Sequence, residues 1–112
     1  MSADDLEALS DRVSEAHRRI QAKRDDINPV ISVRRGMRDS GIPADVLTID
    51  CLRTRRRIVL IVHDEEPGVL LHQSADVDNA QPPGEIQRMP LAELDVDTIL
   101  VWMEHRFTRG AV

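Results

Sequence analysis

The residues best equipped for chemistry stand together in LRTRRRIVLIVHDEEPG, residues 52–68. Here Arg53, Arg55, Arg56 and Arg57 are followed by Asp64, Glu65 and Glu66. A guanidinium presents a planar fork of donors that matches a carboxylate or a phosphate two bonds at a time. With residues 53–56 as the turn of a hairpin, Arg53, Arg55 and Arg56 project from one end of a sheet, and the three acids project from the other. Arg34, Arg35 and Arg38 lie upstream in a segment with helix signals. A helix there, running antiparallel along the first strand, brings these three to the same basic end. Three readings are open: a solvated hairpin tip, a patch for an acidic protein surface, or a grip on nucleic-acid phosphates.

Nucleophilic and metal chemistry find less support. Cys51 is the sole cysteine. A turn at 53–56 sets it opposite about Ile58 and sets His63 opposite about Val46, roughly 17 Å apart at the strand rise. That separation makes Cys51 a small core residue rather than half of a Cys–His pair. His63 and His72 fall on neighbouring strands about four positions out of register, too far for convergence on a metal with Asp64 or Asp76. His17 and His105 lie on helices without a metal-binding spacing around them. No phosphate-binding glycine loop and no nucleophile elbow occurs, so no cofactor, metal or catalytic residue is assigned. An enzyme whose site is built from distant residues would leave no such local trace.

The totals bound what these residues belong to. A chain of 112 residues with 41% apolar content makes one domain with its own core, spanning 1–112. Trp102 and Phe107 are the only large aromatic residues, so the core is aliphatic and there is little to stack on bases or sugars. No apolar run approaches the ~20 residues of a membrane span, and the acidic start MSADDLEALSD lacks the pattern of a signal peptide. The expectation is a cytoplasmic protein, and the dominance of arginine over lysine suggests a GC-rich bacterial genome. Net charge is −5, unevenly spread: residues 29–57 carry seven basic and three acidic side chains, whereas 58–112 carry three basic and ten acidic. Such polarity favours an acidic partner or self-association over a uniformly basic groove.

Leu6, Leu9, Val13, Ala16 and Ile20 are spaced three, four, three and four, which predicts an amphipathic helix within residues 1–28. Ser2 and Asp5 form a capping box at its start. The seam serves either the chain's own core or a dimer. Asn28-Pro29 reads as the start of a second helix, with Val30, Ile31, Val33 and Met37 inward and Gly41-Ile42-Pro43 closing it. Val46–Leu52 alternates as a half-buried strand. Arg57–His63 is apolar on both sides, the mark of a central strand covered on each face. Val69–Gln73 is a third strand, residues 74–85 are a long polar loop, and Glu85–Leu91 a fourth strand. Asp95 caps a last helix carrying Val96, Ile99, Leu100, Met103 and Phe107. The fold class is α+β: two N-terminal helices, a three- to four-stranded antiparallel sheet, and a C-terminal helix packed on it.

Function is expected to be binding rather than catalysis. The size and acidity resemble those of adaptors and dedicated chaperones, and secretion chaperones also combine an antiparallel sheet with terminal helices, though in another element order. The expected partner is a protein, acidic or a second copy, met through the arginine tip or the first helix. Nucleic acid bound by Arg34, Arg35, Arg38 and the 53–57 cluster is the alternative.

Overall fold

The seam from Leu6 to Ile20 faces inward from helix α1 (Ser2–Lys23), and its five side chains are between 0% and 8% exposed. The computed structural model describes residues 2–24, 27–34, 36–78 and 83–109, with side chains described from Asp5 to Phe107 of these. The capping box therefore falls partly outside the described side chains. Asp5 itself does other work: its carboxylate accepts a bond from the Gly68 N–H at 2.8 Å, pinning the start of α1 to a distant turn. The seam packs with Ile99, Met103 and Phe107 of α3 (Val96–Arg109), and the two helices lie together on one face of the sheet. Asp95 caps α3, accepting from the Thr98 N–H and hydroxyl, each at 2.8 Å.

The sheet is an antiparallel meander of five strands in chain order. These are β1 (Val30–Arg34), β2 (Ala44–Cys51), β3 (Arg56–His63), β4 (Val69–Asp76) and β5 (Gln87–Pro90). The expected second helix is corrected by β1. Four residues, Gly36–Asp39, form a single helical turn, α2. The β-branched run Val30-Ile31-Ser32-Val33 pairs with the free edge of β2 instead, where it gains a ladder of hydrogen bonds. Asn28 does not cap; its side-chain oxygen accepts from Gln21 at 2.7 Å. Val30, Val33 and Met37, expected inward, are 36–48% exposed.

Strands alternate, and register decides which side chains share a face. Leu47, Ile49 and Cys51 stand beside Leu60, Ile58 and Val62 on the helix-covered side, with Leu70 next to them. The hairpin turn is 52–55 rather than 53–56, so Cys51 pairs with Arg56 and His63 with Ala44. That two-residue slip leaves every face assignment unchanged. β4 continues to Asp76, so the polar connection begins later than residue 74. In the β2–β3 turn Arg55 takes φ of 58°, a left-handed conformation that ends the four-residue loop at a cost of about 1–2 kcal/mol for a side-chain-bearing residue.

Candidate functional site

The basic cluster is divided by the fold. Arg56 stands opposite Cys51, but Arg34 stands opposite Val46, five residues or roughly 17 Å further along β2. The upstream arginines therefore sit at the far end of the sheet and do not extend the hairpin tip. Arg35 lies outside the described residues. Arg38 is fixed by two carboxylates at that far end: Nε and Nη2 donate to Asp45 at 2.6 and 2.9 Å, and Nη1 and Nη2 donate to Asp64 at 2.9 and 2.7 Å. Its bonds to Asp64, then to Asp45, drive its pKa further above the ordinary guanidinium value. Asp45 is a buried acid on β2, so Arg38 holds α2 and the β3–β4 turn against the sheet. A charge so engaged is a structural clamp.

At the tip Arg57 and Arg55 are also engaged within the chain. Arg57 donates to both oxygens of its cross-strand neighbour Asp50, at 2.7 and 3.0 Å, and the pair is mostly buried. Arg55 pairs with Asp78 in the open, holding that carboxyl below its usual range. Arg53 is exposed in the turn. Arg56 differs: it is half-buried on the helix-covered side, and among the described residues no carboxylate pairs with it.

Below Arg56, α3 and the end of β4 leave a cleft. One cavity of about 540 Å³ is lined by Arg56, Ser74, His105 and Arg106. It adjoins a second of about 350 Å³ whose apolar wall is Ile58, Val101 and Trp102, with His72 stacked on Trp102 at 4.6 Å. Burial holds the His72 imidazole below its ordinary pKa. Arg106 donates through Nη2 to the Ala75 carbonyl at 2.8 Å and lies 3.5 Å from Asp76, while its Nε is buried with no partner. Burial first, and then the nearby charge of Arg56, lower the Arg106 pKa. Trp102, His105 and Arg106 are spaced i, i+3 and i+4, a helical-face signal present in the sequence although it matches no catalytic or metal-binding motif.

The opposite face of the sheet is the other candidate. Val46, Val59, Ile61, Val69 and Leu71 stand side by side there by register and are half-buried. None belongs to the core beneath the helices. The expected cover on both sides of β3 is thus met on one side, where the two long helices α1 and α3 both pack. Asp50–Arg57 forms a mostly buried ion pair there, and Thr48 at its centre is 2% exposed with its hydroxyl unpartnered.

The seam Leu6, Leu9, Val13, Ala16, Ile20 lies in the chain's own core, so α1 presents no such stripe outward. Cys51 is buried. His63 and His72 are on opposite faces, since His72 pairs with Leu60, three residues from His63. Among the described residues no cluster of three His, Cys, Asp or Glu is placed to hold a metal, and no helix is long and apolar enough to cross a membrane. The chain matches no protein-family model, no curated protein and no solved structure.

Proposed function

We propose that the chain is a small, non-catalytic protein-interaction module, adaptor-like in scale, that pairs with a second copy of itself through the uncovered face of its sheet. The observation that carries this reading is the two-sided apolar character of β3, with both long helices on one side. Ile61 stands between Val46 and Leu71, and Val59 follows it on β3 between Thr48 and Gln73, so an aliphatic strip runs along β3 where a solvated sheet face would carry polar residues. The strip itself is uncharged; beside it on the same face Asp50 satisfies Arg57, Glu66 satisfies Arg88, and Arg34 stands at the edge next to Val46. Both points suit a self-complementary two-fold contact. Five strands about 4.8 Å apart and up to eight residues long give a face of roughly 600 Å². Two such faces bury about 1,200 Å², the lower end of what stable complexes use.

The nucleic-acid reading has less to draw on, because Arg38, Arg55 and Arg57 are already paired and the two groups of arginines stand at opposite ends. The test is size-exclusion chromatography with light scattering on wild type and Ile61→Lys. Wild type is expected to elute as a dimer at high micromolar concentration and Ile61→Lys as a folded monomer. A monomeric wild type at every concentration overturns the proposal.

A further inference from the structure

We infer that the cleft between α3 and the β3–β4 end of the sheet is a binding site for a small anion carrying a ring-sized apolar body, an aromatic phosphate monoester or an aromatic carboxylate. The site is separate from the sheet face, on the other side of the molecule, and does not depend on that face being an interface.

The charged end comes first. Two guanidiniums, Arg56 from β3 and Arg106 from α3, line one cavity with His105 and the Ser74 hydroxyl. Placing two cations together in a half-buried cavity is unfavourable unless an anion joins them. Elsewhere the same chain supplies that anion from itself: Asp50 for Arg57, Asp78 for Arg55, Glu66 for Arg88, and Asp45 with Asp64 for Arg38. Here one acid, Asp76, is present for two guanidiniums. It stands across from Arg56 in the β3–β4 register and approaches Arg106 at 3.5 Å, longer than a hydrogen bond. Leaving a charged donor unmade is costly in a desolvated setting, and an oxyanion removes that cost.

The body of the ligand follows from the adjoining cavity. Ile58, Val101 and the Trp102 ring make an apolar wall, and the stack of His72 on Trp102 fixes the indole. Its volume of about 350 Å³ is at the small end of ligand pockets and admits a single ring system rather than a polymer. Glu85 also lines that cavity and disfavours a ligand carrying a second anionic group there.

Trp102 is the chain's one tryptophan, so its emission reports occupancy directly. Phenyl phosphate, benzoate and inorganic phosphate are titrated against the full chain, with calorimetry in parallel. Phenyl phosphate or benzoate is expected to change Trp102 emission with saturation. Whichever binds tighter identifies the head group, and inorganic phosphate is expected to compete without altering the emission as strongly. Arg56→Gln is the informative variant, because Arg56 holds no carboxylate and its loss leaves the fold intact. It should weaken binding about tenfold or more, the loss of one charge-assisted contact, with an unchanged melting temperature. Arg88→Gln, on β5, should bind as wild type. No saturable change in emission or heat with either aromatic anion, or equal affinity in Arg56→Gln, overturns the inference.

Discussion

The pair Asp50–Arg57 decides whether the loudest arginine run in the sequence serves the fold or a partner, and a double-mutant cycle measures it. Both side chains are mostly covered, 11% and 18% exposed, and two hydrogen bonds join them. At about 4 Å and an effective dielectric near 20 the attraction is about 4 kcal/mol, and desolvation of the two ions offsets part of it. Truncating either partner alone leaves the other charge poorly solvated. The fully buried case costs about 3–5 kcal/mol, and at the margin of an open face about 2–3 kcal/mol is expected. For a chain of 112 residues unfolding entropy near 2.1 cal/mol/K per residue converts this to a melting-temperature drop of about 9–13 °C. The variants are Asp50→Leu, Arg57→Leu and the pair, melted by circular dichroism at one fixed protein concentration. The double variant is expected within about 1 kcal/mol of wild type, because no unpaired charge remains. A coupling below about 0.5 kcal/mol, the worth of a surface pair, would refute the reasoning and return Arg57 to the pool of residues open to a partner.

Thr48→Val removes a buried hydroxyl that has no partner while keeping shape, so it should stabilise by about 1–2 kcal/mol and raise the melting temperature; an unchanged or lower value contradicts the placement. Phe107→Ala, emptying the largest buried side chain between α1 and α3, should cost about 3–5 kcal/mol by urea titration. His72 has its pKa depressed by burial, so stability is full above the ordinary imidazole value and declines as pH falls from there through the lower folded value. Proton NMR of the imidazole should show a midpoint below about 6.5, and Trp102 emission should titrate with it. Asp78 beside Arg55, Glu66 beside Arg88 and Asp95 bonded to Thr98 all have lowered pKa values. Their stabilisation is present above the ordinary carboxyl range and is lost as pH falls through the folded values, so a melt series should decline below about pH 4.5.

What the sequence disclosed divides along the range of the interaction involved. The spacing of Leu6 through Ile20 and of Ile99, Met103 and Phe107 is local, and it disclosed both long helices and their apolar faces, while leaving open whether the first faced the chain's own core or a dimer. The alternation in Leu47, Ile49 and Cys51 likewise assigned the β2 faces, and survived a two-residue error in register because side chains repeat every second residue. Residues 28–41 misled because Asn28-Pro29 carries local helix-start signals, whereas the outcome rests on pairing with β2, a contact set by tertiary structure. The same slip in register hid the Asp50–Arg57 pair, since an unshifted turn puts Leu52 opposite Arg57. The cleft was out of reach for a different reason: Arg56, Ser74 and Arg106 come from three elements, and only the docking of α3 brings them together.

The central claim is that the second face of the sheet meets a second copy. Isotope-filtered NOE spectroscopy on a mixture of ¹³C-labelled and unlabelled chains tests it most directly, because only contacts between copies give signal. Cross-peaks are expected among the methyl groups of Val46, Val59, Ile61 and Leu71. Their absence at millimolar concentration, or cross-peaks confined to the exposed side of α1, would contradict it.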